Sequence, residues 1–491
     1  MRAVVAVSLA NLCYLRIWDV LLHQPERHYL AASPYSRVDF VAAIIGVGLL
    51  TVGLYFLIKL VWLGERRWVR AIAMLTVLLV FLFPLDFVRR SSGVTFEAYS
   101  GIARYMLILI AAGGLLVGSL LFRQRFYAVL FWALAILSPY AGINLAYAVA
   151  NIAYPGQEEP RQKLSIPALG PEHVATNRVI WIIFDEWDQA ATFEKRPPDL
   201  KLPVLDAFIK NAVVATQAYP PSNRTMISLP ALLTGRLVSE AEGRGDSELR
   251  VNYAGENEWR DFRNGDNIVT EMLRAGKKVA VLGWYHPYSR ILPVSPNLTD
   301  NSWGFPAFQG IRRSNVVSAV AAQYAFLALP QFGRMASRDL YAEMHTAALA
   351  AVADPSIDFV FLHYGIPHLP GIYDAAEDRL SIALKSNTSG YYSNLALVDR
   401  CLGDLLTKVN KAGLHDATAF VLTSDHWWRT APWIEKNHGY PVPLIIRPKA
   451  GGTMTQADTV LCTTSVRAIV SDLLGGKCAD ILPIQSLHSF R

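Results

Sequence analysis

"RVIWIIFDE", residues 178–186, decides the fold of this chain: six consecutive apolar residues follow Arg178, and two carboxylates end the run. A continuous apolar run of that length, without alternation, reads as a strand buried on both faces. Working outward, "DFVFLHY" (358–364) and "ATAFVLTS" (417–424) have the same character. Helical patterns separate them: "VLDAFIKNA", "IVTEMLRAGKKVAVLGW", which reads helix, glycine turn, strand, and "YYSNLALVDRCLGDLLTKVNKAG". This rhythm predicts an α/β domain with a mostly parallel sheet flanked by helices, in which ligands bind beyond the carboxyl ends of the strands.

Those ends carry an unusual set of residues. Asp185 and Glu186 follow the first run, His363 ends the second with His368 a short loop later, Asp425 and His426 follow the third, and His438 precedes "GYPVPLIIRP". Carboxylates mixed with imidazoles suit zinc, with manganese as the alternative, better than calcium or magnesium. In "PPSNRTMISLPALLTGR" (220–236), Thr225 stands between a proline-hinged polar loop and an apolar helix. It is either the N-cap of that helix, whose first turns Pro230 makes unusual, or a hydroxyl that a metal activates. Each feature alone has an ordinary explanation: a helix cap at Asp185, a turn at "SDH", core histidines, a solvated Glu186. Their coincidence at consecutive strand ends is what points to a site.

The rest of the chain sets the context. Of 491 residues, 52% are hydrophobic and 18% charged, and mean hydropathy is +0.25, too apolar for an ordinary soluble chain. The excess lies before residue 155, in apolar stretches at about 39–63, 69–88, 103–122 and 126–150. Each is near or above the roughly 20 residues that a helix needs to cross hydrocarbon. A weaker stretch, 3–22, is a first span or a signal sequence. Within it, Arg16 and Asp19 either pair or snorkel near an interface or meet a lipid headgroup. About five spans thus occupy residues 1–154, a linker 155–177, and the α/β domain 178–491. Arg66, Arg67, Arg70, Arg123 and Arg125 fall in loops that would be cytoplasmic, while Arg89 and Arg90 oppose. This predicts a multi-pass inner (plasma) membrane protein with its large domain outside the cytoplasm. The net charge of +6 suits an anionic membrane surface, and no nucleic-acid motif accompanies it. Cys462 and Cys478 either form a disulfide or stay as free thiols.

The order "FDE", "T-x-x-S-L-P-A-L-L-T-G", "H-x-x-x-x-H-x-P", "SDH", "H-x-x-x-VPLII" resembles the alkaline phosphatase superfamily in its sulfatase-like branch. With the apolar N-terminal region, it resembles the membrane-anchored phosphoethanolamine transferases and lipoteichoic acid synthases of that branch. The resemblance implies Asp185, Asp425, His426 and Thr225 as metal ligands, with Glu186 as a further one. It implies Thr225 as the nucleophile, and His363, His368 and His438 as the base or acid. Thr225 stands where sulfatases carry the cysteine that matures to formylglycine. The proline and arginine required for that maturation are Ile227 and Leu229 here, which disfavours ordinary sulfate-ester hydrolysis. The usual glycine after "SDH" is Trp427. Trp284, Tyr285, Trp427, Trp428 and Trp433 form either an aromatic rim facing lipid or sugar, or ordinary packing.

The expected function is transfer of a phosphorylated headgroup, of phosphoethanolamine or phosphoglycerol type, from a membrane phospholipid to an external lipid or glycan acceptor. A phosphothreonine at Thr225 would link two in-line displacements. Two alternatives stand beside it: a membrane-tethered phosphodiesterase or sulfatase-like hydrolase, and a lipid-sensing pseudoenzyme.

Overall fold

The computed structural model describes residues 1–23, 25–31, 35–63, 66–91, 113, 123–154, 161–305, 311, 313–329, 331–383, 385–435, 438–449 and 454–477. Strand β1 (Arg178–Phe184) lies where the apolar run predicts it, every residue buried. With it come β2 (Val213–Ala215), β3 (Val279–Trp284), β4 (Leu298–Trp303), β5 (Phe359–Tyr364), β6 (Thr418–Thr423), β7 (Leu444–Arg447) and β8 (Thr455–Ala457). Together they make an eight-stranded sheet in the order β8-β2-β7-β6-β1-β5-β3-β4. β1 is parallel to both its neighbours, with Ile182 opposite Leu422 of β6 and Leu362 of β5. β7 is antiparallel to β6 and β2, so the sheet is mostly parallel, as predicted.

Because side chains alternate across a strand, β1 feeds two cores. Ile180, Ile182 and Phe184 pack with Leu395, Leu402 and Leu405 of the helix Asn387–Lys411. On the other face, Val179, Trp181 and Ile183 share a core with Leu229 and Leu232 of the helix Thr225–Thr234. Val466, Ile469 and Val470 of the helix Val466–Leu474 complete that second layer. The helix Thr225–Thr234 ends at Gly235, whose φ of 67° is the left-handed C-terminal conformation that glycine adopts without strain. Pro230 is accommodated inside it, at the loss of one backbone hydrogen bond to Met226.

The chain divides into two compact units, Met1–Arg27 with Tyr35–Gln157 and Gly310–Pro330, and His28–Pro34 with Glu158–Gln309 and Gln331–Arg491. In the first unit, helices Arg37–Leu63, Arg67–Ser91, Arg123–Ile136 and Ser138–Ala153 cover three of the predicted apolar stretches. The stretch 103–122 lies outside the described residues, apart from Gly113. Among the described residues, Arg37–Val61 and Ala128–Ala153 are long and apolar enough to cross a membrane. The pair Arg2–Cys13 and Leu15–Leu22, bent by 54°, adds a third if it is one span. Among the described residues, two or three of the predicted five spans thus meet the length and apolarity of a crossing helix. This agrees with membrane association.

Two segments leave the unit that sequence order assigns them. The apolar helix Val316–Ala328 belongs to the first unit, where Gln323 donates to the Asp39 carbonyl (3.0 Å) and Tyr324 to that of Gly46 (2.6 Å). Arg16 donates to the Phe326 carbonyl at 3.3 Å and lies 4.2 Å from the centre of its ring, so its guanidinium has a protein partner. Conversely, His28–Pro34 belongs to the second unit. Residues 161–177, expected as linker, are held to the second unit where Leu164 N–H donates to the Val294 carbonyl and Arg161 to that of Leu292. Cys462 is a free thiol, and Cys478 lies outside the described residues.

Candidate metal and nucleophile site

Three parallel neighbours, β5, β1 and β6, end side by side, and their last residues supply the site. Asp185 follows β1, with its N–H donating to the Tyr364 carbonyl of β5. The chain then turns at Glu186, whose φ of 62° is left-handed, a conformation that is uncommon outside glycine. Ser424 fixes the neighbouring turn: its Oγ accepts from Trp187 N–H and lies 2.7 Å from the Phe184 carbonyl oxygen. Asp425 Oδ1 accepts from its neighbour's N–H, that of His426, at 2.9 Å and from Glu186 N–H at 3.3 Å.

Ligand atoms of Asp185, Asp425 and His426 lie within 4.8 Å of one another, all three residues buried. His426 Nδ1 is 3.0 Å from the Trp427 carbonyl oxygen, which can only accept, so Nδ1 carries the hydrogen. Nε2 therefore presents its lone pair to the cluster, 3.3 Å from Asp425 Oδ2 and 3.5 Å from Asp185 Oδ1. Among the described residues, Asp185 Oδ1 and Asp425 Oδ2 are buried without a hydrogen-bond donor. Two acceptor-only carboxylates and an imidazole lone pair converging in a buried place are the donor set of a divalent cation. Burial, then the charges of Asp425 and Glu186, push the Asp185 carboxyl well above its usual range.

Thr225 is the first residue of its helix, and Arg224 is the cap, so the N-cap alternative for Thr225 is replaced by a hydroxyl turned into the cluster. Its Oγ1 lies 3.1 Å from His426 Nε2 and 3.5 Å from Asp185 Oδ2. The first N–H groups of a helix have no intrahelical partner and favour an anion at this position.

The remaining sequence-predicted residues fall at different distances. His363, at the end of β5, is fully buried, 3.9 Å from Asp185 Oδ2, with Nδ1 3.0 Å from the Tyr288 hydroxyl and Nε2 without a hydrogen-bond partner among the described residues. Burial pushes it down to about 4, so the ring is neutral at pH 7. The Glu186 carboxylate is taken up by Arg429, whose Nε donates to Oε1 at 2.7 Å, and it stands outside the three-residue cluster. Arg429 Nη2 also reaches His368 Nε2 at 3.3 Å. His368 Nδ1 sits 2.6 Å from the Leu369 carbonyl oxygen, which assigns its hydrogen to Nδ1 and makes Nε2 the acceptor for Arg429. His438 is exposed, its ring 5.0 Å from that of Tyr440, and it makes no described contact with the cluster.

The aromatic residues resolve mostly to packing. Trp284, Trp427 and Trp428 are buried, and Trp428 stacks on Tyr391 with ring centres 3.8 Å apart. The Tyr391 hydroxyl donates to the Glu186 carbonyl at 2.8 Å, so this stack braces the left-handed turn. Sequence reasoning did not anticipate Arg429 as the partner of Glu186, nor Tyr288 beside His363, since neither belongs to a motif. An apolar cavity of about 90 Å³ opens beside His368, lined by Trp284, Leu340, Tyr341, Met344, Ile366 and Leu369 among others.

Residues 177–465 match the family model described as Sulfatase. No curated protein matches the chain. Among solved structures, a phosphonate monoester hydrolase of Agrobacterium radiobacter is 14% identical, covering 61% of this chain and 74% of its own, with a TM-score of 0.42. The phosphonate monoester hydrolase of Silicibacter pomeroyi is 15% identical over 62% of this chain and 78% of its own (TM-score 0.42). A protein of the alkaline phosphatase superfamily from Vibrio parahaemolyticus is 14% identical over 63% and 72% (TM-score 0.39).

Proposed function

The chain belongs to the sulfatase family, matched over residues 177–465, and from that premise we propose that it transfers a phosphorylated headgroup from a phospholipid to a lipid or glycan hydroxyl. The observation that carries this reading is a threonine, not a formylglycine precursor, at the helix start, with its hydroxyl against the Asp185, Asp425 and His426 cluster. The apolar stretches of the chain and the cavity beside His368 support a lipid donor.

Asp185, Asp425 and His426 would hold a divalent cation, which when bound supplies a lowered hydroxyl pKa and charge neutralisation at a phosphoryl oxygen. Thr225 Oγ1 then forms a bond to phosphorus as the bond to the diacylglycerol oxygen breaks. The unpaired N–H groups at the helix start receive the phosphoryl oxygens. In this reading His363, neutral and with Nε2 unpaired among the described residues, takes the proton that Thr225 gives up and returns it to the leaving diacylglycerol oxygen. Arg429 and His368 form the polar edge toward the apolar cavity. In the second step an acceptor hydroxyl gives its proton to His363 as its oxygen attacks phosphorus, and the Thr225 oxygen leaves and takes that proton up.

Incubation of the purified protein with phosphatidylethanolamine or phosphatidylglycerol tests this directly. Diacylglycerol release with a headgroup phosphate on Thr225, seen by peptide mass spectrometry, is the expected result. Diacylglycerol release at an equal rate by Thr225→Ala would replace the covalent route with direct attack by water.

A further inference from the structure

The two loops that carry Asp185 and Asp425 meet one side chain that no proposed step uses: Tyr391, in the second turn of the helix Asn387–Lys411. It is fully buried. Its hydroxyl donates to the Glu186 carbonyl at 2.8 Å and accepts from Asp188 N–H at 3.2 Å, spanning the turn that follows β1. Its ring lies flat on Trp428 of the loop after β6, with ring centres 3.8 Å and planes 3° apart. The same two loops are joined once more where Trp428 N–H donates to Asp188 Oδ2 at 3.3 Å.

We infer that Tyr391 is a positioning residue for the cation site: its hydroxyl sets the Glu186 turn, and that turn sets the spacing of Asp185 and Asp425. Glu186 is the link between the two carboxylates. It follows Asp185 directly, and its N–H donates to Asp425 Oδ1 at 3.3 Å. Its φ of 62° costs free energy and persists only where surrounding groups hold it. Tyr391 is such a group, because it supplies the donor that the buried Glu186 carbonyl requires. With the hydroxyl gone, that carbonyl and the Asp188 N–H stay unpaired for as long as the turn keeps its shape, and rotation of the turn toward other partners relieves them. The rotation draws the Glu186 N–H away from Asp425 and swings the adjoining Asp185 off its ligand spacing. Trp187 N–H remains tied to Ser424, so the turn bends and does not unravel. A cation binding there has to restore the turn, and the loss is read in its affinity.

The inference rests on the cation site and not on the headgroup chemistry, so zinc or manganese alone tests it. In the full-length protein in detergent, Tyr391→Phe keeps the ring and its stack and removes only the hydroxyl. Chelator competition should show the ion held about 10-fold more weakly, the scale of one lost hydrogen bond to a buried partner. Thr418→Val is the control for a purely structural loss: the buried Thr418 Oγ1 donates to the Leu414 carbonyl at 2.6 Å, at the other end of β6. It should lower the melting temperature and leave the ion's affinity within about twofold. Hydrogen-exchange mass spectrometry without metal reads the turn itself. Loss of the Asp188 bond alone frees a single amide in the stretch 184–188, whereas a released turn also frees Glu186 N–H, whose bond to Asp425 the substitution does not touch. Both amides should exchange faster in Tyr391→Phe, and neither in Thr418→Val. If Tyr391→Phe expresses poorly, Trp428→Leu, which leaves the hydroxyl without the ring that orients it, should move affinity and exchange in the same direction. Unchanged affinity in Tyr391→Phe, or faster exchange at Asp188 alone, overturns the inference. A wild type that takes up neither ion overturns the cation site itself, and the role of Tyr391 with it.

Discussion

Replacing Asp425 with asparagine should make the metal-free protein more stable and abolish its response to metal. Ligand atoms of Asp185, Asp425 and His426 lie within 4.8 Å of one another in a buried place. At an effective dielectric of about 20, two full charges at 4.8 Å, the outer limit of that spacing, repel by about 3.5 kcal/mol. Without a cation, part of this is relieved by a proton on Asp185, whose carboxyl burial and its acidic neighbours push up. That sets the sign of the pH dependence. A carboxyl whose folded pKa lies above its unfolded one loses stability as pH rises from the usual carboxylate range through the raised value. The gain from Asp425→Asn is therefore largest at alkaline pH, about 1–3 kcal/mol once the proton is allowed for, and shrinks toward pH 5. The substitution is conservative elsewhere, since the asparagine oxygen can still accept from the N–H groups of His426 (2.9 Å) and Glu186 (3.3 Å). Thermal unfolding of the purified protein, with chelator or with added zinc or manganese, measures both effects. A few degrees of stabilisation over chelated wild type is expected, with no further rise on adding metal. An Asp425→Asn protein that melts below chelated wild type, or that gains as much from zinc as wild type does, refutes the cation-site argument.

Three further outcomes follow from the same geometry. Thr225→Ser should retain measurable transfer, because it keeps the oxygen and loses only the methyl that restricts its rotamer, whereas Thr225→Ala should lose transfer by at least about 1,000-fold; lipid product assays compare them. Arg429→Met should free the Glu186 carboxylate and His368 Nε2 together and raise the donor KM more than it lowers kcat, in a lipid titration at fixed acceptor. His363, held neutral by burial down to about 4 against an ordinary 6.5, contributes stability present above pH 6.5 and lost as pH falls toward 4. That difference is worth up to about 3 kcal/mol, and His363→Asn should flatten the melting curve against pH across that window.

The parts of the fold that could be read in advance were those written as local pattern. "RVIWIIF", "DFVFLH" and "AFVLT" became three adjacent parallel strands because short apolar runs that alternate with helical patterns suit strands covered on both faces. Asp185, Asp425 and His426 were legible for the same reason, since strand ends are the positions a parallel sheet brings together. Glu186 was less so: its left-handed φ turns it away from its neighbour, toward an arginine that no spacing rule links to it. The aromatic residues after "SDH" could be read locally as a rim or as packing, and the stack of Trp428 on Tyr391 that decides between them depends on a helix that begins at Asn387, beyond any local window. Val316–Ala328 was assigned by position in the chain, and at 13 residues it carries no length signal of its own.

The origin of the site at the ends of three hydrogen-bonded neighbours also fixes the order in which it is lost on heating. The spacing of Asp185, His363 and Asp425 is set by the ladder between β5, β1 and β6, so it survives as long as the central sheet does. Arg429 and His368 stand on connecting loops, where local opening requires far less free energy than unfolding of the sheet. There should then be a band of temperature in which the cation stays bound and substrate recognition has already gone. In that band a warmed sample would still take up a divalent cation as an intact protein does, and yet turn over nothing.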